Sequence, residues 1–177
     1  SIEQIDKAVL RVLRLKEELG LFDNPYRYAS VDNEKSNHLC KEHRALSRKA
    51  ATKSSVLLKN NGVLPFSIDV KKIAVIGPFA DEKEIIGSWS CVGKSDDTIS
   101  VVEGIKNIVP SSIVKVEKGC TWKGEDLDID SAVNVAKESD IVILCLGEHQ
   151  SWSGEGNSRA MLELPRNQIK LAEEIVK

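Results

Sequence analysis

The chain is 177 residues long and carries 25 Lys and Arg against 27 Asp and Glu, a formal net charge of −2. That balance lacks the basic excess of a nucleic-acid surface, and no run nears the roughly 18 apolar residues of a membrane span. With 41% apolar and 29% charged residues the composition suits a core-forming globular chain, so neither a nucleic-acid nor a membrane partner is expected.

Length predicts about one domain with added segments. The four cysteines, Cys40, Cys91, Cys120 and Cys145, are too sparse for a disulfide scaffold. They form no CxxC pair, and His38, His43 and His149 do not join them at zinc-like spacing, so no metal site is expected. Cys145 lies within an apolar run and reads as a small buried hydrophobe. Ser1 opens directly into a helical pattern, and the helical pattern at Lys177 lacks a cap, so a piece of a longer protein is expected. The compartment is not legible from such termini.

Taken in chain order, Ile2, Ile5, Val9, Val12 and Leu19 recur at helical spacing over residues 1–20. Ser1 and Gln4 have the spacing of a capping box, and Gly20 stands at the C-terminal cap. Phe22 to Tyr26 is turn chemistry, because Pro25 keeps Asn24 out of the helical region. Residues 29–40 are polar and without periodicity and read as a linker. A second helix is predicted from about Lys41 to Leu58, ended by Asn60-Asn61-Gly62 and followed by an extended passage at Leu64-Pro65-Phe66.

From about Val70 strands and helices alternate. Ile73 to Gly77 is a continuous apolar strand of the kind buried on both faces of a parallel sheet. A helix over Val101–Ile108, a strand over Ile113–Val116, a helix over Ser131–Lys137, a strand over Ile141–Leu146 and a closing helix after Asn167 follow. Repeated βα units imply an α/β fold: an incomplete doubly wound, mainly parallel sheet with flanking helices, preceded by a helical linker region.

In such sheets ligands collect beyond the carboxyl ends of the strands. The loop after the first strand runs from Gly77-Pro78-Phe79-Ala80-Asp81 to Gly87-Ser88-Trp89-Ser90. It lacks the G-x-G-x-x-G pattern, and Pro78 removes a backbone donor, which disfavours nucleotide binding. The loop after the third strand is richer, with Glu148, His149, Trp152, Glu155 and Arg159 ahead of Leu164-Pro165. Gly154 and Gly156 flank Glu155 and permit close approach of a ligand. A solvated loop whose charges pair among themselves is the plain alternative. No nucleophile elbow is present, since Trp152-Ser153-Gly154 lacks the first glycine. Trp89, Trp122 and Trp152 all fall in predicted loops, a placement that suits stacking on a sugar face, although Trp122 reads better as a packed anchor.

Several segments together resemble glycoside hydrolase family 3. Ala8 to Lys16 with Leu19-Gly20-Leu21-Phe22-Asp23-Asn24-Pro25-Tyr26 is similar to the end of that family's first domain. Glu42 to Ala51, Val56-Leu57-Leu58-Lys59-Asn60 and Leu64-Pro65 look like the start of its second domain. Lys72 to Pro78 and Gly87-Ser88-Trp89-Ser90 resemble its first strand and following loop. Gly147-Glu148, Gly154-Glu155-Gly156-Asn157-Ser158-Arg159 and Leu164-Pro165 match the pattern of its β-glucosidases.

The resemblance implies a retaining exo-glycosidase built from a (β/α)8 barrel followed by an α/β sandwich. On that reading residues 1–23 are the last barrel helix, 24–69 an interdomain linker with a lead-in helix, and 70–177 part of the sandwich. The rest of the barrel is then the partner of this chain, and it holds the aspartate nucleophile, for which no Ser-Asp-Trp or Thr-Asp-Trp exists here. By motif position Glu155 is the implied acid/base, with Glu148 the less favoured choice. Arg159 would fix Glu155 or contact sugar, and Trp89 and Trp152 would border the pocket. The substrate is a carbohydrate, a β-glucoside or related oligosaccharide, with glucose, xylose, arabinose and N-acetylglucosamine all open. The retaining mechanism needs no metal and no cofactor. A sugar-binding or scaffolding module without catalysis is the alternative, and the need for a poised Glu155 separates the two.

Overall fold

A computed structural model describes residues 1–125 and 128–177. The chain divides into two units, Ser1–Asn61 and Gly62–Lys177.

The first unit is helical: α1 (Ile2–Glu18), α2 (Val31–Asn37) and α3 (Lys41–Ser54). Gln4 Oε1 accepts from the Ser1 amino terminus at 2.7 Å, and Glu3 pairs with Lys7 one turn on. The far end of α1 closes with the backbone bonds Gly20 N to Glu17 O and Leu21 N to Lys16 O, the Schellman arrangement. Residues 31–37, expected to be linker, are helical instead. The Ser30 hydroxyl accepts from the Asn33 N–H at 3.2 Å, which nucleates a short helix that carries no apolar stripe. Helix α3 stops at Ser54, four residues before the expected end, where Ser54 and Ser55 bond back to Ala50 and Ala51 and Val56 follows.

The second unit carries a three-stranded parallel sheet of β1 (Lys72–Ile76), β2 (Ile113–Glu117) and β3 (Ile141–Leu144), in the order β2-β1-β3. Between them lie α4 (Val101–Ile108) and α5 (Ile129–Lys137), and α6 (Arg166–Ile175) follows β3. The alternation of side chains along β1 builds the two sides of the core. Ala74 and Ile76 join Ala132, Ala136 and Leu171 of α5 and α6, while Ile73 and Val75 join Val102 of α4. Helices therefore cover both faces, as a doubly wound sheet requires.

Two local features set the top edge of the sheet. Gly77, directly after β1, has φ +121°, and a Cβ there would collide with the Cys145 carbonyl oxygen. Only glycine lets the chains leaving β1 and β3 pass this closely. Helix α4 opens with a full capping box: Ser100 accepts from the Glu103 N–H, and Glu103 Oε2 accepts from the Ser100 N–H at 2.9 Å. The buried Ser100 hydroxyl also donates to Asp81 at 2.6 Å, which ties the loop after β1 to the helix start.

Candidate functional site

With β1 between β2 and β3, the chain leaves β1 toward α4 on one face and leaves β3 on the other side of the sheet. This reversal is the switch point at which open α/β sheets form a crevice. A cleft of about 460 Å³ lies there. Glu84, Ser88 and Trp89 line it from the loop after β1, and His149, Ser153 and Glu155 from the loop after β3.

Glu155 is exposed on this cleft between Gly154 and Gly156. Its carboxylate has no hydrogen bond or ion pair among the described residues. Trp89 is 69% exposed and belongs to the same wall. A Cβ at Gly154 would sit 3.0 Å from the Ser88 Cβ, so the two loops run in close contact. The Ser88 and Ser153 hydroxyls, 3.4 Å apart, link them directly.

Glu148, Trp152 and Arg159 form a second group. Arg159 Nε lies 2.9 Å from Glu148 Oε1, an ion pair whose N–H is out of line for a directed hydrogen bond. Arg159 also donates through Nη2 to the Glu163 carbonyl at 2.8 Å and lies over the Trp152 ring, 4.6 Å from its centroid. Arg159 thus engages Glu148 and not Glu155. Trp152 turns its edge to Trp122, with ring centroids 5.4 Å apart and planes at 66°.

Two residues organise these loops: His149, one of the polar groups the sequence placed there, and Gln168, which the sequence did not single out. His149 is 9% exposed, and its ring stacks on Trp122 with centroids 4.0 Å apart and planes at 14°. Its Nε2 stands 3.5 Å from a carboxylate oxygen of Glu84. Gln168, on α6, is completely buried. Its amide accepts from the Gly147 N–H at 2.9 Å and donates to the Gly147 and Trp122 carbonyls at 3.0 and 3.3 Å. The signal available for His149 was its place in the polar loop three residues past the apolar run that ends at Leu146; Gln168, inside a helical pattern, offered none.

Directly after β3, where Cys145 packs against the core, burial pushes its thiol up, so it stays a neutral, half-buried side chain. Among the described residues no group of three or more His, Cys, Asp or Glu side chains is placed to hold a metal ion. Among the described residues no helix is long and apolar enough to cross a membrane.

Residues 55–177 match the family model described as the glycosyl hydrolase family 3 C-terminal domain. The chain belongs to glycoside hydrolase family 3. It is 31% identical to a periplasmic β-glucosidase of Salmonella typhimurium over 97% of this chain and 26% of that protein. It is 35% identical to a β-xylosidase of Formosa agariphila over 99% of this chain and 25% of that protein. Among solved structures, a Listeria innocua β-glucosidase in complex with glucose superposes with a TM-score of 0.84 at 36% identity, covering 99% of this chain and 24% of that one. The chain therefore spans about a quarter of the length of these relatives.

Proposed function

We propose that this chain is the part of a retaining, exo-acting β-glycosidase that supplies the acid/base, and that Glu155 is that residue. One observation carries the reading. Of the three glutamates in the loop after β3, Glu148, Glu155 and Glu163, Glu155 alone lines the cleft, and its carboxylate is uncommitted, while Glu148 is held by Arg159. Residues 1–23 belong to the end of a preceding barrel domain, 24–69 to a linker with its lead-in helix, and 70–177 to the sandwich domain. The substrate is a terminal β-linked sugar, in first place a β-glucoside, in keeping with relatives named β-glucosidase and β-xylosidase.

The chemistry asks for two carboxyl groups about 5–5.5 Å apart. The nucleophile comes from the barrel. Glu155 first protonates the leaving oxygen and then, as a carboxylate, deprotonates the water that frees the sugar. Its place on a loop tip bordered by glycines lets it meet a partner on another domain, and approach of that second carboxylate keeps the acid protonated. Trp89, open to the cleft, offers an apolar face to a sugar ring.

The test is Glu155→Ala in the whole enzyme, with aryl β-glucosides carrying a poor and a good leaving group. The kcat/KM for the poor leaving group should fall by about 10²–10⁴-fold, and that for the good one far less. Azide should restore turnover of the activated substrate as a β-glycosyl azide, since an anion attacks without a base. Equal losses on both substrates and no azide effect would transfer the role to Glu148. The isolated chain, without the nucleophile, is expected to hydrolyse no glycoside above a Glu155→Ala control.

A further inference from the structure

The Glu155 loop is anchored near its base by the His149 imidazole. His149 sits two residues past Gly147 and precedes the 3-10 turn Gln150–Trp152. Its carbonyl accepts from the Trp152 N–H at 3.0 Å. Its Nδ1 accepts from the Ser151 N–H at 3.2 Å and lies 2.8 Å from the Ser151 hydroxyl. The Ser151 N–H can only donate, so Nδ1 is an acceptor and the ring proton belongs on Nε2. That nitrogen faces Glu84, on the loop after β1. The ring face lies on Trp122, in the loop after β2. Loops from all three strands therefore converge on this one side chain, which is nine-tenths buried.

From His149 the constraint runs toward Glu155. The 3-10 turn delivers Trp152 edge-on against Trp122, and Arg159 covers the Trp152 ring. Trp152 and Arg159 touch, so the segment between them, with Glu155 at its middle, is closed at both ends. Arg159 is tied in turn to Glu148, the residue before His149. The tip itself is a turn, in which the Asn157 N–H donates to the Gly154 carbonyl at 3.1 Å, and this closure sets where that turn begins and ends.

We propose that His149 is a positioning residue for Glu155, holding the acid/base loop at its working reach through the Trp122 stack and the Ser151 cap. This rests on the acid/base reading of Glu155. Nothing in the role asks His149 to touch sugar or to transfer a proton. Loss of a positioned acid has a distinct kinetic signature. A misplaced proton donor slows departure of a poor leaving group, whereas an activated phenolate leaves without help. A residue that only stabilises the fold, or only binds sugar, changes both substrates in proportion.

The experiment uses the whole enzyme and the ratio of kcat/KM for an aryl β-glucoside with a good leaving group to that for one with a poor leaving group. This ratio is independent of the fraction of enzyme that is folded. His149→Ala should lower kcat/KM for the poor leaving group by about 10–100-fold and for the good one by under about 3-fold. His149→Phe, which keeps the stack and loses the cap, should fall between wild type and His149→Ala. Ser151→Ala, which removes a hydroxyl and little else, should shift the ratio in the same direction by a smaller factor. Glu155→Ala is measured beside them. If Glu155→Ala raises the ratio and His149→Ala leaves it at the wild-type value, the positioning role is overturned and the acid/base assignment stands. If Glu155→Ala itself leaves the ratio unchanged, the acid/base assignment fails and takes the positioning role with it.

Discussion

Gln168 satisfies both backbone polar groups of Gly147: its amide oxygen takes the N–H and its amide nitrogen the carbonyl, at 2.9 and 3.0 Å. The same nitrogen also reaches the Trp122 carbonyl. Helix α6 thereby clamps the start of the Glu155 loop to the loop after β2, in a position where no solvent reaches the side chain. Replacing it with Leu leaves two carbonyls and an N–H without partners. Gln168→Leu should cost roughly 2–4 kcal/mol, seen as a drop in the denaturation midpoint of the domain. Gln168→Glu should be no better at neutral pH, because its second oxygen would face two carbonyls.

Gly77 gives a sharper case. An alanine there would have to adopt φ near +121° and place its Cβ on the Cys145 carbonyl. Gly77→Ala should destabilise the domain by roughly 2–5 kcal/mol, and soluble expression with thermal melting checks it. A variant that melts like the wild type would show that the chains leaving β1 and β3 separate easily.

Trp89 tests the proposed sugar-facing wall. Its ring is open to the cleft, and no other described ring packs on it in an aromatic pair. Trp89→Ala in the whole enzyme should therefore raise KM by about 5–15-fold, the loss of one aromatic face, with kcat for an activated substrate nearly unchanged. A matching fall in kcat would assign the ring to the reacting geometry instead.

The acid limb of stability has named sources. The Lys83 ammonium, and after it the Ser100 N–H, hold the Glu103 carboxyl below its usual value of 4.5. Lys115 does the same for Glu138. A carboxyl lowered by folding contributes stability above its unfolded value, and that contribution fades as pH falls through the folded value. Stability should therefore decline from about pH 4.5 downward, the unfolded-state value for these groups. Both glutamates are exposed, so the decline is gentle and weaker in salt. Denaturation midpoints across pH 3–6 for Glu103→Gln with Glu138→Gln should give a flatter profile than wild type. An unchanged profile would place the acid sensitivity elsewhere.

What was legible in the sequence follows from range. The apolar runs at Ile73–Ile76 and Ile141–Leu144, separated by helical spacing, define parallel strands with helices on both sides, and the sheet has that form. The long polar loop after β3 was visible as a candidate site because charge, glycine and tryptophan cluster within it. Helix α2 was not visible, because Val31–Asn37 carries no apolar periodicity and depends on the Ser30 cap. The ends of α3 and β3 fall short of the apolar pattern, since pattern marks burial more faithfully than hydrogen bonding. The packing roles of Gln168 and His149 were invisible for another reason. Their partners lie 21 and 46 residues away for Gln168, and in two other loops for His149, and no local pattern encodes such meetings. The same applies to Arg159, whose partner in the fold is Glu148.

All three indoles of the chain belong to the loops at the carboxyl ends of the strands, and the packed interior is aliphatic. Ultraviolet emission from this domain consequently carries no signal from its core. Trp89 contributes a solvent-exposed, red-shifted component, while Trp122 and Trp152, in contact with each other, contribute one governed by their neighbours His149 and Arg159. Steady-state spectra and iodide quenching therefore report separately on the open wall of the cleft and on the anchor of the Glu155 loop, with no label attached.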